Sequence, residues 1–340
     1  MKAAVLEEFN APLTIREVDT PEVGPDEVLV RVKACSLCGS DLKIVAGVYP
    51  ATTLPHIPGH EIAGEVFEVG SGVIDVKKGD RVLIYFYLNC GQCIHCRSGR
   101  DSLCQNLKGH IGFDTNGGMA EYIVVPATNV VLFDHSIAFP QAALIPDAMG
   151  TPYHALKDRA RLQEGDLLVI VGVGGLGLHA LQIAKTFGAR VLALDTKDRH
   201  LDKARQLGAD IVLNPEHDDV SRVLQQEGPA GGADVVMDLV GTPKAIEQAV
   251  EYVRPAGKLL VVGYDLSGPF SVWAAIMVMK ELQIVGCRAT TRKNLAELVE
   301  LVEQRRILPV VDDILPLAKI KEAYDRLDRG QVMGRIVVEP

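Results

Sequence analysis

Two hydrophobic rhythms divide this chain. Up to about residue 145, apolar and polar positions alternate. In EVLVRVKA, Val28, Val30, Val32 and Ala34 take one face while Arg31 and Lys33 take the other, which is the period of a half-buried strand. EIAGEVFEVG and DRVLIYFYL follow, with VKKGD as a turn between them. The pattern predicts an antiparallel, barrel-like half with long loops. Beyond Pro146 the rhythm changes. DLLVIVG, RVLALD, DIVLN, ADVVMDLVG, KLLVVGY and LQIVGC are short, continuously apolar runs, and amphipathic stretches such as GLGLHALQIAKTFGA and DRHLDKARQLGA separate them. Apolar strands alternating with helices predict an α/β half whose parallel sheet is covered on both faces. The last fifty residues are expected to add one helix, LAELVELVEQRRI, and a closing strand, GRIVVE.

Length and charge narrow the class. A chain of 340 residues exceeds one ordinary core, so two domains are expected. With 48% apolar and 23% charged residues the composition is that of a soluble globular protein. A formal charge of −9 argues against nucleic acid or an anionic membrane as partner. No apolar run reaches the ~18 residues of a spanning helix. The opening MKAAVLEEFN shows no apolar signal segment, so a cytoplasmic location is expected.

Four of the seven cysteines, Cys90, Cys93, Cys96 and Cys104, fall in NCGQCIHCRSGRDSLC. This C-x2-C-x2-C-x7-C spacing suits a closed tetrahedral zinc site with about 2.3 Å per sulfur. Disulfides and an iron–sulfur cluster are the alternatives. A reducing compartment disfavours the first. The ferredoxin-type run ends in a shorter gap followed by Pro, which is absent here.

Gly172, Gly174, Gly175 and Gly177 lie in GVGGLG, directly between the strand DLLVIV and a helix. In that context G-x-G-x-x-G marks a dinucleotide site, with the pyrophosphate at the helix N-terminus. Asp195 ends the next strand, eighteen residues past Gly177. There a carboxylate accepts the ribose hydroxyls and repels a 2′-phosphate, which favours NAD(H) over NADP(H). Lys197 and Arg199 follow closely and oppose that preference. The other reading of Asp195 is a helix N-cap.

Cys38-Gly39-Ser40-Asp41 follows the first long strand, and His60-Glu61 comes 22 residues after Cys38. A C-G-S-D loop, then G-H-E, then the four-cysteine lobe, then the glycine loop, resembles the zinc-dependent medium-chain dehydrogenase/reductase family, the alcohol dehydrogenases, along the whole chain. The resemblance implies a GroES-like β-barrel catalytic domain over residues 1–148 and 288–340, with a structural zinc lobe at 89–105. It also implies a Rossmann doubly wound nucleotide-binding domain over 149–287. Two zinc ions per chain are implied, one catalytic and one structural. Cys38 and His60 match the first two catalytic ligands, and Glu61 matches the acid that can exchange onto the metal. Asp41 matches the carboxylate that orients the histidine, and Ser40 the hydroxyl that takes the substrate proton. Thr151 matches a residue beneath the nicotinamide and Arg335 one that neutralises pyrophosphate; each has a bland alternative as a surface polar residue.

The chain departs from the family pattern at two positions. Asp147, in ALIPDAMGTPYHAL, stands where a cysteine usually supplies the third ligand, and it is assigned as that ligand. The alternative is an Asp that only caps a helix. PDAMGTPYHAL looks like the same segment of bacterial secondary-alcohol dehydrogenases. Lys43 stands where a histidine often ends the proton relay; either it passes protons to solvent, or the relay ends at the ribose hydroxyl, or it is an uninvolved exposed lysine. Phe86 matches an aromatic of the alcohol pocket, with a barrel-core Phe as alternative. Arg288 could read a carboxylate or phosphate on the substrate, with a solvated or interface arginine as alternative. The implied reaction interconverts secondary alcohols and ketones with NAD. Polyol or hydroxy-acid dehydrogenases and a non-catalytic nucleotide-binding protein are the other readings. LQIVGC resembles the edge strand through which this family dimerises, so a homodimer or homotetramer is expected.

Overall fold

A computed structural model describes all 340 residues. The chain forms two compact units, Met1–Gly150 with Thr290–Pro340, and Thr151–Ala289. Both borders fall two residues later than the sequence-based ones, which moves Arg288 into the second unit.

The first unit is organised around the strand Glu27–Ser36. It pairs antiparallel with Glu61–Val69, with Tyr122–Pro126 and with Arg335–Glu339. The seven-stranded sheet continues through Arg81–Ile84 to Val130–Leu132 on one side and to Val311–Pro316 on the other. Val28, Val30, Val32 and Ala34 are buried as their alternation requires. Leu29 and Cys35, on the opposite face with Arg31 and Lys33, are buried too. That face is therefore covered at both ends and open only in the middle.

The register of this sheet prepares the site. Ser36 lies opposite Glu61 on one neighbour and opposite Val337 on the other. Because the second pairing is antiparallel, two further residues in each direction bring Arg335 to Cys38. The chain beyond the strand turns into the helix Gly39–Val45, capped at its N-terminus by Asp41, whose carboxylate accepts the Cys38 N–H at 2.7 Å. Gly59, just before His60, has φ +99°, and a Cβ there would sit 2.6 Å from the Cys35 sulfur. Only glycine allows that approach.

The expectation of one helix and one strand at the C-terminus is incomplete. Besides Arg292–Glu303 and Arg335–Glu339, the structure contains the strand Val311–Pro316 and the helix Ile320–Asp328. The helix is only nine residues long, with three of them buried, so its apolar stripe is brief.

The second unit is a six-stranded, wholly parallel sheet. Numbered along the unit, its strands run 3-2-1-4-5-6, from Ile211–Leu213 through Arg190–Leu194, Leu167–Val171, Ala233–Asp238 and Val253–Val261 to Gln283–Gly286. This order has a topological switch point between the first and fourth strands, where such sheets bind ligands. Leu167, Val169, Leu192, Leu194, Val236 and Leu259 form the core with Ile246, Ala249 and Val250 of the helix Pro243–Tyr252. Leu192 is a fully buried member of this cluster. Leu192→Ala is expected to cost about 2–5 kcal/mol, measured as a fall in denaturant midpoint with unchanged slope.

Candidate active site: a donor cage and a glycine loop

Cys38, His60, Glu61 and Asp147 converge in the first unit, with one donor atom from each lying within 4.8 Å of the others. Asp147 Oδ2 is 3.5 Å from Cys38 Sγ and 3.7 Å from His60 Nε2. Tetrahedral ligands about 2.0–2.3 Å from a zinc ion stand about 3.3–3.8 Å apart, so this sulfur, nitrogen and oxygen fit one. Asp147 is presented by a π-helical turn, Ile145–Met149, every residue of which is buried. The Met149 N–H reaches back five residues to the Leu144 carbonyl, and π turns of this kind recur at functional sites. Asp147 is thus inside a helical segment and does not cap one.

Two buried atoms support the fit. His60 Nδ1 and Asp41 Oδ1 each have no hydrogen-bond partner, and they face each other at 3.7 Å. Such orphaned atoms are expensive when buried, and a histidine that binds metal through Nε2 needs an acceptor at Nδ1. Burial works against an imidazolium at His60, but the carboxylates of Asp41 and Asp147 outweigh it and raise the histidine well above its ordinary range. The cage therefore concentrates negative charge, as a cation site must. Ser40 Oγ lies 3.8 Å from the Cys38 sulfur, on the first turn of its helix.

Arg335 lies beside the cage. The resemblance implies a pyrophosphate partner, but the guanidinium is buried beside the cage in the first unit. Its Nε donates to Glu61 at 3.0 and 3.2 Å and its Nη2 at 2.9 Å, while Nη2 also approaches Cys38 Sγ at 3.5 Å. Ser36 Oγ donates to the same carboxylate. The cause is the strand register described above, which delivers Arg335 to this point. Burial raises Glu61 to about 7 against the pull of Arg335. Glu61 is thus held by an arginine and a serine, neither of which the sequence connects to it.

An aromatic group covers the histidine. The Phe86 ring lies 5.3 Å from His60 and the Phe113 ring 4.7 Å, and the two phenylalanines are 6.1 Å apart. Phe86 is almost fully buried, so it packs His60 and is also a core residue. Phe113 was not anticipated, since nothing in HIGFDTNGG marks it.

In the cysteine lobe the sulfurs of Cys93 and Cys96 are 3.5 Å apart, Cys90 and Cys96 4.0 Å, and Cys93 and Cys104 4.0 Å. None forms a disulfide, which would bring sulfurs to about 2.05 Å. Sulfurs held about 2.3 Å from one zinc ion stand about 3.8 Å apart, so the spacing fits a closed zinc cage. Backbone N–H groups already turn toward it. The amides of Cys96 and Gln105 lower the Cys93 thiol to about 6, whereas burial pushes Cys96 up to about 12.

In the second unit, Gly172 turns the chain at φ +92°. A Cβ on Gly177 would meet the Gly172 carbonyl oxygen at 2.1 Å, whereas one on Gly174 would enter open space. One glycine closes the turn and the other leaves a ligand room, above the N-terminus of the helix Gly177–Thr186. Asp195 Oδ2 accepts the Val173 N–H of this loop at 2.9 Å, and Oδ1 accepts the Lys197 N–H at 2.9 Å. Burial opposes its charge, but His200 and these amides prevail and keep the carboxylate below its usual range. The following helix, Asp198–Gln206, has Lys197 at its N-cap, so capping is not the role of Asp195. Thr151 is buried in the helix Gly150–His154, Lys43 is half-buried and Arg288 is exposed. No helix is long and apolar enough to cross a membrane.

A Cys/His/carboxylate cage in a GroES-like unit, with a glycine-loop Rossmann unit in the same chain, defines a zinc-containing nicotinamide dehydrogenase. Comparison with known proteins agrees. Residues 24–135 match the alcohol dehydrogenase GroES-like domain, and residues 175–304 match the zinc-binding dehydrogenase domain. The chain is 38% identical over 342 residues to an alcohol dehydrogenase of Geobacillus stearothermophilus, covering 100% of this chain and 99% of the relative. It is 33% identical over 348 residues to an NAD-dependent alcohol dehydrogenase of Sulfolobus acidocaldarius, with the same coverage of 100% and 99%. The crystal structure of the alcohol dehydrogenase of Aeropyrum pernix superposes with a TM-score of 0.93 at 35% identity, covering 100% of both chains. The chain belongs to the zinc-dependent medium-chain alcohol dehydrogenase family.

Removing one partner of a buried ion pair strands the other. Arg335→Met is therefore expected to destabilise the fold by about 3–5 kcal/mol, and Glu61→Gln in the same chain is expected to restore much of the loss. Thermal melts of the single and double variants measure both.

Proposed function

We propose that this protein is a zinc- and NAD-dependent alcohol dehydrogenase that interconverts secondary alcohols and ketones. The observation that carries the reading is the convergence of Cys38, His60 and Asp147 at tetrahedral-ligand spacing. A zinc ion held by these three would supply Lewis acidity that lowers the hydroxyl pKa of an alcohol, and NAD would take the hydride. Asp147 keeps the formal charge of the thiolate it replaces but donates less electron density, which favours a more Lewis-acidic metal. Asp41 orients His60, and Arg335 holds Glu61 beside the cage. Ser40 takes the hydroxyl proton of the substrate. Phe86 and Phe113 exclude water from the ligand histidine. Cys90, Cys93, Cys96 and Cys104 hold a second, structural zinc.

The glycine loop receives the pyrophosphate, and Asp195 meets the adenosine ribose, so NAD(H) is preferred to NADP(H). A polyol is the second substrate class, favoured by the carboxylate at position 147, which the resemblance associates with polyol enzymes too. The strand Gln283–Gly286 ends its sheet, and Trp273, Val278 and Met279 near it are 74%, 74% and 83% exposed. Such a surface favours dimerisation through this edge. The unpaired state of all seven cysteines suits the cytoplasm.

Metal analysis of purified protein is expected to find two zinc ions per chain. Asp147→Ala should retain one and Asp147→Cys two; two in the alanine variant would remove Asp147 from the ligand set. Incubation with a panel of secondary alcohols and NAD⁺ should release NADH. Chelation should abolish this turnover while NADH binding survives, and full turnover by zinc-free protein would contradict the scheme.

A further inference from the structure

Asp195 is held by a third donor that the nucleotide-site motif does not include. His200, one turn into the helix Asp198–Gln206, places Nδ1 3.1 Å from Asp195 Oδ2. The two side chains are 7% and 11% exposed. Against an ionised carboxylate it is Nδ1 that carries the hydrogen, and Nε2 is buried with no partner at all. A histidine whose second nitrogen is sealed and unpaired is costly as filler, where a leucine would pack without that penalty. Its one polar contact is Asp195, and that contact shares an oxygen with the glycine-loop amide of Val173.

We propose that His200 is a positioning residue that sets specificity at the 2′-position of the cofactor ribose. This rests on the reading of Asp195 as the group that meets the adenosine ribose. Three donors, from Val173, Lys197 and His200, fix the carboxylate in one rotamer. In that rotamer its charge remains where a 2′-phosphate would have to sit. The exposed Lys197 and Arg199 flank the site and would attract such a phosphate. Exclusion of NADP(H) therefore requires that Asp195 stay in place. Without the His200 bond the carboxylate can rotate toward Lys197 and Arg199, and the barrier to a 2′-phosphate falls.

The test is calorimetric titration of the zinc-loaded enzyme with ADP-ribose and with 2′-phospho-ADP-ribose, which reads binding without turnover. The ratio of the two dissociation constants is compared in wild type, His200→Phe, His200→Asn and Asp195→Asn. His200→Phe keeps the ring and removes the donor; His200→Asn keeps a donor near the Nδ1 position. Loss of one charge-assisted hydrogen bond predicts that discrimination against the 2′-phosphate falls about tenfold in the Phe variant, recovers in the Asn variant, and falls at least as far in Asp195→Asn. If both ligands weaken equally in His200→Phe, its role is packing and the inference is overturned. An unchanged ratio in His200→Phe beside a lowered one in Asp195→Asn also overturns it, leaving Asp195 intact as the discriminating group. An unchanged ratio in Asp195→Asn overturns the reading of Asp195 itself, and the inference with it. Should His200→Phe fail to fold, His200→Ala, which removes the donor together with the ring, is read by the same ratio.

Discussion

The register of one strand determines the donor cage. Because Ser36 pairs with Glu61 on one side and with Val337 on the other, segments some 275 residues apart in sequence deliver Cys38, His60 and Arg335 to a single point. A slip of one residue in either pairing would turn every side chain of that strand to the opposite face. Arg335 would then lose Glu61, and two buried charges would be unpaired. The ion pair is thus less a source of stability than a check on register, since the misregistered sheet is the state it penalises most.

Four carboxylates show how environment assigns roles to one functional group. Asp41 caps a helix with one oxygen and faces a histidine with the other. Glu61 is neutralised by a guanidinium and a hydroxyl. Asp147 turns one oxygen toward a thiol and an imidazole, with the Arg335 guanidinium 3.8 Å from it. Asp195 is held by two amides and a histidine. Only the surroundings separate a carboxylate of the donor cage, a helix cap facing a histidine, a buried counter-ion and an acceptor at the glycine loop.

Much of this was legible in the sequence. The four-cysteine spacing, the glycine loop and the switch from alternating to continuous apolar strands each rest on local chemistry, and each appears where it was placed. The position of Asp147 followed from resemblance, but its π-helical presentation did not, because nothing in IPDAM distinguishes a wide turn from an ordinary one. The partner of Arg335 was not legible: sheet register between residues 274 apart in sequence is set by tertiary pairing. Ser36 and Phe113 were missed for the same reason, since each acts through a neighbour brought from elsewhere in the fold. His200 lies only five residues from Asp195 and was missed because that spacing alone carries no chemical signal. The helix Ile320–Asp328 was missed because its buried stripe is shorter than the period that reveals one.

The wide turn at Ile145–Met149 also controls the direction in which Asp147 points. Closing a hydrogen bond over five residues instead of four accommodates one extra residue in the coil. Excising a single residue ahead of Asp147 would restore ordinary helical winding and rotate the carboxylate by about 100° about the axis. The aim of the Asp147 carboxylate is therefore encoded as angular phase, and a one-residue deletion that spares every donor would still point it away from Cys38 and His60.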